Sequence, residues 1–173
     1  MVAWVRTHAG HYGGDARTVV TAGSSAGGHL ATMLALTPGD PQLQPGFEDA
    51  DTSVAAAIGF YGYYGRAAGP GSSPLDRAGE APPLLFVHGD QDSSTLVEDT
   101  RELVARLRAA SSGPVLFAEL PGAQHTFDLF FSLRYSHVIE AAAAFCRRYA
   151  AANQGSRSTP VPGEDGSDTA SPS

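Results

Sequence analysis

The stretch TVVTAGSSAGGHLATMLALT, residues 18–37, decides the fold of this sequence. Its β-branched start at 18–23 predicts a short buried strand, since continuous apolar runs of this length are typical of buried sheets. The small-residue segment GSSAG at 23–27 then turns the chain, and Leu30 and Leu34 beyond it share one face of a predicted helix. A strand that passes through a glycine-rich turn directly into a helix is a building unit of α/β proteins.

The rest of residues 1–150 alternates between the same two patterns. Further strands are predicted at 54–60, 84–89 and 114–122, and further helices at 2–11, 95–110 and 136–149. Because the strands are apolar along their whole length, they indicate a parallel sheet that helices cover on both faces. The predicted fold class is therefore α/β, with a Gly/Pro/Ser-rich loop at 66–82.

Composition narrows the class of protein further. The chain has 173 residues, which is typical of one domain, and 42% of them are hydrophobic, which is enough for a buried core. All 11 basic residues are arginines, and 18 acidic residues give a formal charge of −7, which argues against a nucleic-acid-binding protein. No apolar run approaches the roughly 20 residues of a membrane-spanning helix. The start shows no signal-peptide pattern, so the cytoplasm is the default expectation.

The composition changes near residue 151. Residues 151–173 are rich in Gly, Ser, Pro and acids, with Val161 as the single large apolar residue. Such a segment cannot bury enough apolar surface to offset its ordering entropy, so a disordered tail is predicted at 151–173. Residues 1–150 form the predicted folded domain.

Reactive side chains follow three of the predicted strands. Ser25 lies at the centre of the G-x-S-x-G pattern after the first strand, Asp90 and Asp92 follow the third, and His125 follows the fourth. The carboxyl ends of parallel strands meet at one edge of a sheet, where ligands bind. The chain order Ser, Asp, His therefore predicts a catalytic triad.

Each member of this triad would have its own role. Ser25 would attack an acyl carbon, His125 would take its proton, and Asp92 would hold and stabilise the imidazole. The N–H of Ala26 is the predicted oxyanion donor. Small residues beside Ser25 suit a strained turn between strand and helix: Gly23, Ala26 and Gly27.

Several other polar side chains are weaker candidates. Of the two carboxylates, Asp92 is predicted to complete the triad, a choice that rests partly on the resemblance described below, and Asp90 to cap the turn. His8 and His11 lack a carboxylate or thiol partner for a metal, so no metal site is expected there. Ser24, His29, His88 and Cys146 are predicted to be structural, and His137 is predicted to lie on a solvated helix face. Whether Tyr61, Tyr63 and Tyr64 line a pocket or pack on the sheet stays open.

The motifs resemble a known family. TVVTAGSSAGGHLATMLALT, HGDQD, ELPGAQHTFD and QPGFEDADTSV are similar to segments of bacterial α/β-hydrolase carboxylesterases, in the hormone-sensitive-lipase-like and feruloyl-esterase-like branch. The resemblance extends over nearly all of residues 2–150. It implies Ser25 as nucleophile, Asp92 as acid, His125 as base, and hydrolysis of small-molecule carboxylic esters without a cofactor.

The sequence also departs from that family. Its members carry an N-terminal half with about four more strands and an HGGG-type loop that supplies oxyanion donors, and this sequence contains no such loop. The expected domain is therefore the C-terminal half of an α/β-hydrolase fold. The strand at 18–22 would then form an exposed sheet edge that invites self-association. The alternatives are a catalytically silent remnant that serves as an interaction module, and a prolyl-oligopeptidase-like peptidase.

Overall fold

The computed structural model describes residues 1–65 and 71–155, with the backbone alone for 150–155. Within these ranges, one sheet of parallel strands has the order β1-β2-β3-β4. The strands are β1 (Val20–Ser24), β2 (Ala56–Phe60), β3 (Leu84–Gly89) and β4 (Val115–Leu120). The strand order equals the chain order, so each connection moves one strand further along the sheet.

Helices cover both faces of this sheet. They are α1 (Val2–His8), α2 (Ala26–Leu36), α3 (Val97–Ala110) and α4 (Leu133–Gly155). Alternate residues of β2 and β3 point to opposite faces, as strand geometry requires. Ala57 and Phe86 join the core formed with α1, α2 and α3, whereas Ile58 and Val87 join the core formed with α4. The predicted α/β class and its two covered faces are confirmed.

Helix α3 shows how the sequence directs this packing. Leu103, Val104 and Leu107 recur at helical spacing and are almost completely buried against the sheet. Burial of a side chain of this size contributes about 1.5–3 kcal/mol. Glu98 and Asp99 in the first turn face the positive end of the helix dipole, which favours the start of α3 at this point.

The boundaries of three helices differ from the prediction, and α3 begins at Val97, two residues after its predicted start. The first helix, predicted at 2–11, ends at His8, and a 3-10 helix at Ala9–Tyr12 follows it. Gly13 then reverses the chain in the left-handed region, with φ +74°. The last helix begins at Leu133 and its backbone continues to Gly155, past the residue at which the tail was predicted to begin.

Two segments of the prediction lie partly outside the described residues. Within the predicted loop at 66–82, residues 66–70 lie outside the described residues. The rest of this loop contains a short 3-10 helix at Pro74–Arg77. Residues 156–173 of the predicted tail also lie outside. In the described sheet, β1 pairs with β2 alone and therefore forms one edge.

Candidate active site

Ser25 occupies the sharp turn between β1 and α2. Its backbone has φ +55° and ψ −119°, a region that non-glycine residues rarely adopt because of steric strain. Two hydrogen bonds hold the turn in place. The Ser25 N–H donates to the carbonyl of Phe60 on β2 at 2.9 Å, and the Ser25 carbonyl accepts the N–H of His29 at 3.1 Å. The strain is thus maintained from both sides, and it presents the hydroxyl at the carboxyl end of the sheet.

Two glycines allow this close approach of strand and helix. A Cβ on Gly23 would lie 2.3 Å from the backbone of Gly27, and one on Gly28 would lie 3.0 Å from the carbonyl of Phe60. A Cβ on Gly27 would meet nothing within 4 Å. The sequence predicted that Gly27 must be small for the turn to form. That prediction is wrong for the space around Gly27, because a Cβ there would meet no nearby atom. The requirement holds for Gly23, as predicted, and also for Gly28, which the sequence did not single out.

A chain of contacts joins the three predicted side chains. His125 Nε2 lies 3.0 Å from Ser25 Oγ, and His125 Nδ1 lies 2.7 Å from Asp92 Oδ2. The Asp92 side chain is fully buried, whereas the His125 ring keeps 19% of its surface exposed. The imidazole can therefore accept a proton from the hydroxyl on one side while the carboxylate fixes its tautomer on the other.

Asp92 is the most densely hydrogen-bonded carboxylate of the site. Its Oδ1 accepts the N–H groups of Ser94 and Thr95 at 2.8 and 2.9 Å. Its Oδ2 accepts the Thr95 hydroxyl at 2.9 Å as well as the His125 ring. Burial by itself would raise the pKa of this carboxyl, but the hydrogen bonds from Thr95, His125 and Ser94 outweigh burial and lower the pKa below 3.8. The group is therefore an anion at neutral pH.

His88 is a second imidazole on the same carboxylate. Its ring is completely buried, and its Nε2 lies 3.2 Å from Asp92 Oδ2 and 3.1 Å from the Thr95 carbonyl. Both of these partners are acceptors, so Nε2 carries the proton, and Nδ1 accepts the Thr100 hydroxyl at 2.7 Å. Burial is the largest influence on His88 and lowers its pKa below 6.5, which keeps the ring neutral. Sequence reasoning predicted a structural histidine and missed this contact.

The structure separates the three tyrosines whose roles stayed open. Tyr61 and Tyr64 are buried, whereas Tyr63 is 40% exposed. Tyr61 packs on His125, and Tyr64 packs edge-on against Phe86 in the core. Because these residues follow β2 in one short segment, only the three-dimensional arrangement distinguishes them.

The side chains of Asp90 and His29 take no part in the contacts that join Asp92, His125 and Ser25. Asp90 accepts the N–H of Gly122 at 2.7 Å and so ties two loops together, and His29 Nδ1 contacts the Tyr63 carbonyl at 2.8 Å. Among residues 1–65 and 71–155, no group of three or more His, Cys, Asp or Glu side chains is arranged to hold a metal. Over the same ranges, no helix is both long and apolar enough to cross a bilayer.

Curated proteins similar in sequence to this chain include esterases. The family model BD-FAE matches residues 1–65. Probable carboxylic ester hydrolase LipM of Mycobacterium tuberculosis is 40% identical over 190 residues, an alignment that covers 92% of this chain and 44% of LipM. Esterase LipQ of the same organism is 38% identical and covers 83% of this chain and 41% of LipQ. The chain thus spans less than half the length of these curated relatives.

Solved structures with a similar fold include an esterase. The native form of esterase 2 from Thermogutta terrifontis superposes with a TM-score of 0.74 at 25% identity, covering 85% of this chain and 60% of that one. The same enzyme phosphoramylated by tabun gives a TM-score of 0.75 at 26% identity, with coverage of 85% and 61%. The sheet and its helices are therefore arranged as in an α/β-hydrolase esterase.

Proposed function

We propose that this chain, which is related in sequence and in fold to the α/β-hydrolase esterases, hydrolyses carboxylic esters of small molecules at Ser25. The observation that carries the proposal is the contact chain from Asp92 through His125 to Ser25, with distances of 2.7 and 3.0 Å. Three separate loops supply these side chains, and a nucleophile, a base and an orienting carboxylate meet in the geometry of acyl transfer.

The first half of the reaction forms an acyl-enzyme. Ser25 Oγ attacks the ester carbonyl carbon while its proton passes to His125 Nε2, and a tetrahedral oxyanion results. This intermediate then collapses, the bond to the alkoxy group breaks, and the proton on Nε2 leaves with the alcohol. Asp92 stays ionised throughout, because its hydrogen-bond donors favour the anion, and it stabilises the imidazolium between the two proton transfers.

The second half of the reaction releases the acid. A water molecule takes the place of the alcohol, loses a proton to His125 Nε2 and attacks the acyl carbon. Collapse of the second tetrahedral intermediate breaks the bond to Ser25 Oγ, which recovers its proton from the imidazole. The carboxylic acid departs, and the resting contact between Nε2 and the hydroxyl is restored.

The oxyanion donor proposed for both steps is the N–H of Ala26. Ala26 is the first residue of α2, so its N–H belongs to the first turn, which has no acceptor within the helix. It directly follows the nucleophile, and the positive end of the helix dipole lies at the same point. One such donor contributes about 10²–10³ in rate.

The related structures direct the choice of test compounds. Thermogutta terrifontis esterase 2 has been solved with butyrate and with propionate bound, and after phosphorylation by paraoxon. By analogy, we propose short-chain acyl esters as the substrate class of this chain, and organophosphorus compounds as covalent probes of its nucleophile.

The test uses a fluorophosphonate probe and p-nitrophenyl butyrate on the full 173-residue chain. The wild-type chain should be labelled and should release p-nitrophenol, and Ser25→Ala should abolish labelling and reduce turnover by about 10³-fold or more. Ser136→Ala is the matched control, because the Ser136 hydroxyl lies in α4 and donates to the carbonyl of Ser132, the residue directly before that helix. It should behave as the wild type.

The outcomes separate the proposal from its alternative. A wild-type chain that is neither labelled nor active contradicts ester hydrolysis and favours the catalytically silent alternative. Labelling that persists in Ser25→Ala contradicts the assignment of the nucleophile. Loss of labelling in Ser136→Ala would point to general damage by the substitution.

A further inference from the structure

Tyr61, the residue directly after β2, has an unusual backbone. It has φ +36°, a left-handed value that a bulky aromatic residue rarely adopts, and its side chain is only 3% exposed. A strained, buried residue persists when its surroundings over-determine its conformation, and such residues cluster at functional sites. Its contacts therefore show what maintains the strain.

The main chain of Tyr61 links two strands and the Asp92 loop. Its N–H donates to the carbonyl of Val87 on β3 at 2.7 Å, and its carbonyl oxygen lies 3.2 Å from the Thr95 hydroxyl, whose single proton it shares with Asp92 Oδ2. Thr95 is the same residue that hydrogen-bonds Asp92 through both its N–H and its hydroxyl. The position of Tyr61 is thus tied to the residues that hold the carboxylate.

The side chain of Tyr61 links the His125 loop to the same point. Its ring packs edge-on against the imidazole of His125, with centroids 4.8 Å apart, and against Phe127 at 5.3 Å. Its hydroxyl donates to Oδ1 of Asp128, three residues after His125. The loop that carries the base is therefore held by a ring contact at His125 and a hydrogen bond at Asp128.

We propose that Tyr61 and Asp128 form a clamp that positions the imidazole of His125 between Ser25 and Asp92. This inference rests on the function proposed above, in which His125 is the base. Tyr61 acts through the imidazole rather than on the substrate, so it is a positioning residue. Catalysis of this kind is sensitive to displacement, since an error of about 1 Å in a catalytic group can reduce the rate about 10²-fold.

The chemistry of the Tyr61 hydroxyl agrees with a lasting donor role. Burial, and after it the hydrogen bond to Asp128, raises the pKa of the Tyr61 phenol to about 12. The phenol therefore keeps its proton over the whole neutral range and donates it to the carboxylate. A charge-assisted hydrogen bond of this type is stronger than a neutral one.

A double-mutant cycle on the full chain tests the clamp. Tyr61→Phe keeps the ring and removes the hydroxyl, and Asp128→Ala removes its acceptor. Each should lower kcat for p-nitrophenyl butyrate about 5- to 20-fold with KM nearly unchanged, because the substrate contacts remain while the base is misplaced. Both changes break the hydrogen bond between Tyr61 and Asp128, so the loss of kcat in the double variant should be clearly smaller than the product of the two single losses.

Two further variants sharpen the cycle. Asp128→Asn keeps an oxygen that can accept the phenol proton, so it should retain more activity than Asp128→Ala. Tyr63→Phe makes the same chemical change on the exposed neighbouring tyrosine and should keep wild-type kcat. Hydrogen exchange of the peptide 122–130 should be faster in Tyr61→Phe than in Tyr63→Phe.

Specific results would overturn the clamp. They are independent, multiplicative losses in the double variant, an unchanged kcat in Tyr61→Phe, or unchanged exchange of peptide 122–130 in that variant. The failure of the proposed function is distinct, because a wild-type chain without labelling or turnover contradicts ester hydrolysis. The exchange measurement needs no turnover, so it decides in that case too whether Tyr61 holds the loop.

Discussion

Two histidines, His88 and His125, contact the single carboxylate of Asp92. The two rings differ in whether they take up a proton. His125 has to accept a proton during the proposed reaction, whereas His88 is fully buried and donates from Nε2. Burial lowers the pKa of His88 below 6.5. Because the pKa of His88 is lower in the folded chain than in the unfolded chain, His88 contributes to folding stability above pH 6.5. This contribution is lost as the pH falls below 6.5.

We therefore expect the stability of the chain to depend on His88 in mildly acidic solution. The wild type should lose free energy of unfolding below about pH 6.5, by up to about 1.4 kcal/mol per pH unit from this one group. His88→Gln carries no titrating ring, so it should be less stable at pH 7.5 and should lose less between pH 7.5 and 5. Urea unfolding at several pH values measures both quantities.

His137→Gln is the control for this pH dependence. The His137 side chain is 77% exposed on α4, so its removal should leave the wild-type slope unchanged. The same loss of stability with falling pH in the wild type and in His88→Gln would contradict the role of His88. The pKa of Asp92 is also lowered on folding, so all three proteins should lose further free energy of unfolding as the pH falls below 3.8 and this carboxylate takes up a proton.

The unit formed by β1 and α2 depends on one close contact between backbone segments. A methyl group on Gly23 would overlap Gly27 at 2.3 Å, and neither segment is a flexible side chain that could move aside. Gly23→Ala should therefore destabilise the fold by about 1–3 kcal/mol or more and displace Ser25. Denaturant unfolding and the rate of fluorophosphonate labelling should both show the loss.

Gly27→Ala provides the matched comparison four residues away. Its methyl group would meet nothing within 4 Å, and Gly27 lies within α2, where alanine is favoured over glycine. This variant should be more stable than the wild type by about 0.5–1 kcal/mol. Equal destabilisation by both substitutions would show that the close contact at Gly23 is not what limits the turn.

The inner strands β2 and β3 were predictable because burial on both faces requires a continuous apolar run. LLFVHG was predicted as a strand at 84–89, and β3 has the same bounds. Helix ends were less predictable, because they depend on capping and local packing. The last helix begins three residues before the predicted Ser136, at a point where the N–H of Tyr135 bonds the Ser132 hydroxyl.

The site was predictable where the topology alone places the side chains. Ser25, Asp92 and His125 each follow a strand, so a parallel sheet brings them to one edge. The contact between Tyr61 and Asp128 was not predictable, because neither residue belongs to a motif that marks it as part of the site. The contact between His88 and Asp92 was missed for the same reason, although the two residues are only four positions apart.

The described sheet has two edges, and they differ in charge. The outer strand β4 includes Glu119, which pairs with Arg101, and charged side chains of this kind oppose pairing with another chain. The other outer strand, β1, has the sequence VTAGS without a charged residue. Exposed apolar side chains near α2, among them Leu30 and Phe47, add to the surface available on that side.

We propose that two copies of the chain associate along β1. Ala22→Lys places a charge on an exposed residue of that strand and should shift the chain toward monomer in light scattering coupled to gel filtration. Leu116→Lys adds the same charge to an exposed residue of β4 and should leave the association unchanged. A wild-type chain that stays monomeric at high concentration contradicts the proposal, and so does equal dissociation by both variants, since charge alone would then explain the effect.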